Sequence, residues 1–443
     1  MAVQNHEKTA DNLGGYSKLF QLHLVIVGAG LAGLAAAIST RLEGHQVTIL
    51  EKVPELQEIG AGLQLTPNAT RLFRRWGIFD QLESCAATPS ALFVRRYDGT
   101  QLLAKDEGFQ DKIIERYGSP FWDVHRADIQ AALIGRAKSL GVDIRLSAEV
   151  EDIDFKKAEV RMRNGQTVVG DIILAADGLW SHCRSLFLKQ DLQPKPTGDL
   201  AYRIVLNIED VGDDSELQEW LLKPTVNFWI GPGSHVVGYS LRRGQIYNLV
   251  LLCPDDLPQD VSRAPGNLEE LRKLFESWDP ILSKFLACVN SVDKWKLMHL
   301  TELDRWKNDE GTFLMAGDSC HPMLPYLAQG ANSSIEDGAV LGRLLKYVTS
   351  RDDLPQILDL YQELRKRRGE AVVREASKQR DDFHLPDGPL QQHRDTIFLS
   401  CLAKEPTANF PSRWTCPTVQ PWLYGYDAVA EVDKVMAQKG FEV

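Results

Sequence analysis

The sequence has no excess of positive charge. Its 50 lysines and arginines are outnumbered by 61 aspartates and glutamates, for a net charge of -11. That balance argues against a nucleic-acid binder and against attachment to an anionic membrane surface. A long uninterrupted apolar run is also missing. The most apolar stretch, from residue 22 onward, is cut by Gly28, Gly30 and Gly33, so no membrane span is expected. Residues 1–20 are polar, hold no signal-peptide core, and read as a disordered tail. Cysteine is sparse: seven in 443 residues, an odd number with no C-x-x-C. No metal site or disulfide framework is indicated, and a reducing, cytoplasmic setting is expected. Gly440-Phe441-Glu442-Val443 matches no peroxisomal or ER-retention signal. Internal repeats and low-complexity segments are absent. What remains, 44% hydrophobic and 25% charged, is an ordinary globular composition with enough chain for two or three domains' worth of core.

The most informative stretch is residues 22–52. Leu22–Val27 is an apolar run of strand length that enters Gly28-Ala29-Gly30-Leu31-Ala32-Gly33. A small-residue helix follows, ended by Gly44, and a second strand, Gln46–Leu50, finishes on Glu51. Gly28 allows the tight turn, Gly30 lets a diphosphate approach the backbone, and Gly33 lets helix and strand pack closely. The helix N-terminus offers free N–H groups and a positive dipole end to that diphosphate. Glu51 is placed to accept hydrogen bonds from ribose hydroxyls. Strand, helix, second strand and acid sit in register, which predicts a dinucleotide site.

Two more apolar strands end in loops of the same kind. Asp171–Ala176 runs into Asp177-Gly178, and Gly311–Ala316 into Gly317-Asp318. Such loops gather at the carboxyl edge of a parallel sheet. A plain nicotinamide dehydrogenase does not require the distant third loop; an extended cofactor with a second long polar arm does. The glycines of Glu58-Ile59-Gly60-Ala61-Gly62-Leu63-Gln64-Leu65 predict backbone close to a ligand, or an ordinary loop. Residues 91–104 read as a hairpin turning at Asp98-Gly99, and another hairpin turns at Asn164-Gly165. Runs at Leu200–Leu206, Val226–Ile230, His235–Leu241 and Ile246–Leu252 predict an antiparallel sheet. Residues 268–289 are expected to be helical, with further helices from about Ser333 to Thr349 and from Leu354 to about Gln379. The Arg365-Lys366-Arg367-Arg368 cluster reads as a solvated face, and residues 385–426 as largely loop.

Taken together, the three loops resemble the group A flavoprotein monooxygenases, single-component FAD enzymes of the para-hydroxybenzoate hydroxylase type. The nearest likeness is to salicylate hydroxylases and to fungal phenol hydroxylases and dearomatases. The likeness covers about residues 22–380. It is carried by Gly28–Gly33, by Ala176-Asp177-Gly178 with Arg184, and by Gly317-Asp318 with His321-Pro322 through Gly330-Ala331-Asn332. It implies an α/β fold: a Rossmann-like FAD-binding domain, an inserted antiparallel β-sheet substrate domain, and a C-terminal helical region. The segments expected are 21–90, 121–190 and 300–350 for FAD, 91–120 and 191–299 for substrate, and 351–443 at the C-terminus. FAD-contacting residues implied are Gly28, Gly30, Gly33, Glu51, Gly62, Gln64, Arg126, Asp177, Asp318, Gly330 and Ala331. His321 is expected either to face the flavin or to hold its own loop, and Asp177 either to touch the cofactor or mainly to organise its loop and shape the groove.

Arg203 lies inside an apolar strand, where an unpaired charge is costly and needs a partner or a ligand. Tyr239 lies on another strand of the same sheet. An Arg and a Tyr at these strand positions hold the phenolate in related dearomatases, so the resemblance implies catalytic roles for both. The bland alternatives are a buried Arg–carboxylate pair and a core tyrosine; His235 is a third possible substrate contact. The implied activity is hydroxylation of a small phenolic substrate in secondary metabolism, with molecular oxygen, NADPH or NADH as co-substrate and a flavin hydroperoxide as oxidant. A flavin epoxidase, a Baeyer–Villiger oxidase on a non-aromatic substrate and a non-catalytic flavin redox sensor stay open. A halogenase is disfavoured because no W-x-W-x-I-P stretch is present.

Overall fold

The computed structural model describes residues 20–56 and 61–441. The expected N-terminal tail up to residue 19, Glu58-Ile59-Gly60, and the last two residues lie outside the described residues.

The apolar strands at the three loops form one parallel sheet. Its order is Phe313–Met315, Ile172–Ala175, His23–Val27, Gln46–Leu50 and Asp143–Arg145. Its three central strands are almost wholly buried, which is why they read as continuous Val, Ile and Leu rather than as an alternation. On it lies the helix Leu31–Leu42, and against that the helix Gln329–Leu345. The two helices approach closely through small residues. A Cβ on Gly338 would sit 2.4 Å from the backbone N of Ala36. Because the strands run parallel, Gly28, Glu51, Asp177 and Asp318 all follow strand ends at one edge.

The second sheet has eight strands, in the order Arg263–Pro265, Asp293–His299, Lys195–Asn207, Ile246–Pro254, Ser234–Leu241, Thr225–Gly231, Ala91–Arg96 and Leu102–Glu107. The four expected strands are antiparallel to their neighbours among themselves, and the 91–107 hairpin, from a distant part of the chain, adds one parallel pair, Thr225–Gly231 with Ala91–Arg96. Side chains alternate along Lys195–Asn207. Tyr202, Ile204 and Leu206 face one core, while Ala201 and Val205 face another, and Arg203 shares the latter side.

Two further expectations are refined and one is corrected. Residues 268–289 are two helices, Leu268–Leu274 and Pro280–Ala287. Pro280 starts the second, and Asp279 caps it by accepting from the Ile281 N–H. The 385–426 region holds helices Pro389–Ser400 and Val419–Tyr424. The basic cluster on the Leu354–Phe383 helix is not a solvated face: Arg367 is exposed, but Arg365 and Arg368 are buried against carboxylates.

Candidate active site

The Gly28 turn has φ +106°, a conformation that glycine adopts without strain. A Cβ there would also lie 2.3 Å from the Ala176 carbonyl oxygen of the neighbouring loop. The Leu31–Leu42 helix begins at Gly30 with no side-chain cap, so its first N–H groups remain available to an anion. Glu51 accepts from the Ala29 N–H at 2.8 Å and the Val53 N–H at 3.1 Å, which ties the second strand to the turn. Gly28, Gly30, Glu51, Asp177 and Trp180 line a cavity of about 390 Å³. Two residues implied as cofactor contacts serve the packing of their own loops, a role the sequence also allowed them. Gly33 faces the turn rather than the cavity: its missing Cβ would fall 2.0 Å from the Gly28 carbonyl oxygen. Asp177 borders the cavity, but its carboxylate accepts from the Ser181 hydroxyl at 2.5 Å and the Cys183 N–H at 3.0 Å, so it organises its own turn. Arg184 joins that turn to the third loop by donating to the Leu179 and Ser319 carbonyls, both at 2.9 Å.

A second cavity of about 300 Å³ shares Gly30, Ala176 and Gly178 with the first. Together they form a trough from Glu51 to the second sheet. Arg126, Asp318, Gly330 and Ala331 line it, as do Gly62 and Gln64. Asp318 opens to the cavity and has no side-chain hydrogen bond among the described residues. It nonetheless lies deep: burial pushes its carboxyl up, against the pull of His321 and Arg126. Gln64 also lines the cavity, and its side-chain amide donates to buried Asp123 at 2.9 Å. Gly62 lacks a Cβ because Tyr239 and Asn248 fill that space, with the Tyr239 ring 2.7 Å from where the Cβ would lie.

The helix expected from Ser333 starts four residues earlier, at Gln329, after Ala328 at φ +50°. Gly330 and Ala331 are therefore in its first turn, and its positive end meets the trough. Thr66 fastens this end: its N–H donates to Asn332 Oδ1 at 3.0 Å, and its hydroxyl accepts from Gln329 at 3.1 Å. Behind it sits a buried ionic cluster. Asp337 accepts from the Gly317 N–H at 2.8 Å, from His321 Nε2 at 2.6 Å and from Arg365 Nε at 2.7 Å. Arg368 pairs with Glu336 at 2.8 Å. His321 stacks on Trp306 and holds the third loop.

Arg203 and Tyr239 both line the second cavity. Arg203 opens into it and has no carboxylate within ion-pairing distance among the described residues, so the bland reading of a buried Arg–carboxylate pair is not met. Burial and the neighbouring Arg126 charge lower its guanidinium pKa. Burial also pushes the Tyr239 phenol far up, followed by the nearby Asp123, so Tyr239 is a neutral O–H donor. His235, the third candidate substrate contact, is buried and lines the same cavity. Sequence reasoning missed Trp414, which reaches the cavity from the 401–418 loop and donates from its indole to the Tyr326 carbonyl at 3.2 Å. A lone aromatic in an aperiodic loop gave no signal. A larger groove of about 820 Å³ runs past Asp191, Lys296 and Arg305, but none of the expected residues reaches it. Its Lys296 amine is already held by the Leu257 and Pro258 carbonyls.

An open helix N-terminus, an unpartnered carboxylate 290 residues downstream of Gly28, and a second helix N-terminus along one trough fit a dinucleotide with a long polar arm and a flavin ring. Residues 21–376 match the family model described as an FAD binding domain. The chain is 55% identical over 418 residues to an FAD-dependent monooxygenase, OpS4, of Beauveria bassiana, covering 94% of this chain and 97% of that protein. It is 31% identical over 409 residues to 3-amino-4-hydroxybenzoate 2-monooxygenase PtnB3 of Streptomyces platensis, covering 91% and 96%. A salicylate hydroxylase solved as a substrate complex superposes with a TM-score of 0.76 at 21% identity, covering 93% of this chain and 97% of that one. The chain belongs to the family with this FAD binding domain and is an FAD-dependent monooxygenase of the aromatic hydroxylase type.

Proposed function

We propose that this enzyme hydroxylates a phenolic substrate held as its phenolate by Arg203 and Tyr239, with NADPH or NADH as the electron donor. The observation that carries the reading is Arg203: a guanidinium with no carboxylate partner among the described residues, open to a cavity that Val237, Val250 and Leu252 also line. Once cofactor and substrate fill the cavity this charge is taken from water, where leaving it unpaired is costly, and an anionic substrate satisfies it. A positive charge beside a phenol lowers its pKa and makes the ring electron-rich. Tyr239 donates to the same oxygen and orients the ring. Val237, Val250, Leu252 and Phe228 keep water from the reacting carbon.

On this reading Gly28, Gly30 and Glu51 hold the ADP end of FAD, and Arg126, Asp318, Gly330 and Ala331 hold the flavin end. Asp318 accepts from ribityl hydroxyls, and the N-terminus at Gln329 stabilises negative charge on the flavin. FAD, when bound, supplies the electron transfer and the oxygen activation. The test is a panel of phenols and hydroxybenzoates incubated with the purified holoenzyme and NADPH or NADH. Phenol-stimulated oxidation of the nicotinamide, with a product heavier by one oxygen, is expected. Bound FAD without turnover on any member, or turnover only on non-aromatic ketones or alkenes, overturns the proposal.

A further inference from the structure

Val237, Tyr239 and His235 are alternate residues of the Ser234–Leu241 strand, so all three face the cavity. His235 is not alone. Its Nδ1 lies 2.7 Å from Nε2 of His384, at the end of the Leu354–Phe383 helix. Both rings are buried, at 3% and 6% exposure. The two outer nitrogens differ. His384 Nδ1 is buried and has no hydrogen-bond partner among the described residues. His235 Nε2 has no protein partner among the described residues and opens to the cavity.

Burial keeps both rings neutral: it draws His235 well below its ordinary value and His384 down to about 4. The charged groups facing the pair are Asp199, bound to Arg380 and to the Tyr326 hydroxyl, and Asp381. Two neutral imidazoles 2.7 Å apart share one proton between them. If His235 donates it, the other proton of the pair sits on His384 Nδ1, a buried N–H with nothing to accept it. If His384 donates it, His384 Nδ1 is a bare lone pair, and His235 carries its proton on Nε2. An orphaned buried donor is rarer than an under-satisfied acceptor. The second arrangement leaves no buried donor unpaired.

We propose that His384 fixes the tautomer of His235 so that His235 presents an N–H donor to the substrate cavity, which selects an aromatic substrate carrying a second oxygen acceptor, a carboxylate or carbonyl, away from Tyr239. His384 is a positioning residue, acting through His235. Tyr239 is four strand positions beyond His235, roughly 13–14 Å between their Cα atoms. Arg203 lies between the two ends, since it pairs with Val250, and Val250 with Val237. Val237, Val250 and Leu252 line the floor between the donors with the Arg203 charge beside them, and Tyr326 and Phe383 pack around His235 with ring centroids 5.5 and 5.6 Å away. Donors at both ends of such a floor suit a hydroxylated aromatic acid better than a plain phenol. The substrate part of the proposal rests on the reading of Arg203 and Tyr239 given above.

The experiment has two arms, both on the holoenzyme. Long-range ¹⁵N–¹H NMR of ¹⁵N-histidine-labelled protein, with His235 assigned by loss of its signals in His235→Gln, reads the tautomer with no substrate present. A proton on His235 Nε2 and a bare Nδ1 are expected; a proton on Nδ1 overturns the proposal. In the second arm, hydroxybenzoates and the matching phenols without the carboxylate are titrated against flavin absorbance in wild type, His384→Phe and His384→Gln. The Phe variant keeps a ring and removes the donor, whereas Gln keeps an N–H in reach of His235 Nδ1. His384→Phe is expected to weaken hydroxybenzoate binding at least tenfold, leave phenol binding within twofold, and be rescued by His384→Gln. Equal losses for both ligand types, or equal losses in both variants, mean a structural role for His384 and overturn the proposal. If no member of either class binds the wild type, the proposed function fails, whatever the tautomer arm returns. An Nε2 proton with unselective binding overturns only the substrate class inferred here.

Discussion

Asp337→Asn tests how the third cofactor loop is held. Asp337 is fully buried and accepts three hydrogen bonds, from the Gly317 N–H, His321 and Arg365. Asparagine keeps the shape and one carbonyl oxygen. With that oxygen toward Gly317 and His321, its NH₂ faces the Arg365 Nε–H, donor against donor. Glu336 then stands alone among the carboxylates against Arg365 and Arg368. Removing one member of a buried ionic cluster costs about 3–5 kcal/mol, because its partner charge stays buried without compensation. Gly317 immediately precedes Asp318, so the cost is expected to fall on cofactor retention as well as on global stability. The assays are thermal unfolding by circular dichroism and flavin retained after gel filtration. Asp337→Asn is expected to melt several degrees below wild type and to lose FAD on the column. A variant that melts with wild type and keeps its FAD would refute the reasoning. The effect also has a pH signature. Burial alone would raise the Asp337 carboxyl, but His321 and Arg365 hold it at about 2, below the ordinary 3.8. Its contribution is therefore complete above 3.8 and lost as pH falls toward 2. Burial opposes protonation of His321, yet Asp337 raises its pKa above 6.5. That contribution is complete below 6.5 and lost as pH rises through the raised value. The melting difference between wild type and variant should be widest between these limits.

Three further outcomes are expected. Asp318→Ala should weaken FAD binding about tenfold to a hundredfold, the worth of one charge-assisted hydrogen bond of roughly 1.5–3 kcal/mol, by equilibrium dialysis of the reconstituted apoprotein; unchanged affinity in a folded variant moves Asp318 off the cofactor. Arg203→Ala and Tyr239→Phe should keep FAD but lose about thirtyfold to a thousandfold in hydroxylation, on the order of 2–4 kcal/mol, with hydrogen peroxide formed instead of product. Wild-type coupling in both variants assigns the pair a structural role. Gly338→Ala should lower the melting temperature, since its Cβ would press on the Ala36 backbone at 2.4 Å and overpacking costs about 1–3 kcal/mol; an unshifted melt means that the two helices separate freely.

The sequence by itself determined the cofactor edge. The turn at Gly28, the small-residue helix and the acid at Glu51 are set by neighbours within 30 residues, and the continuous apolar strands announce a sheet covered on both faces. The Leu200–Leu206 strand likewise turns Arg203 to the opposite side from Tyr202 and Ile204 once it forms, because side-chain direction in a strand is a local property. Only the tertiary structure decided which partner each polar group meets. Asp177 and Gln64 carry cofactor-type side chains at cofactor-type positions, yet Ser181 and Asp123 occupy them. Arg365 and Arg368 look like a solvated patch until Glu336 and Asp337, on another helix, bury them. His235 meets His384 from 149 positions away, and Trp414 reaches the cavity from a loop without periodicity. Local spacing fixes the face on which a residue points; the packing of distant elements fixes what waits there, and for buried charges and hydrogen-bond donors that partner decides the function.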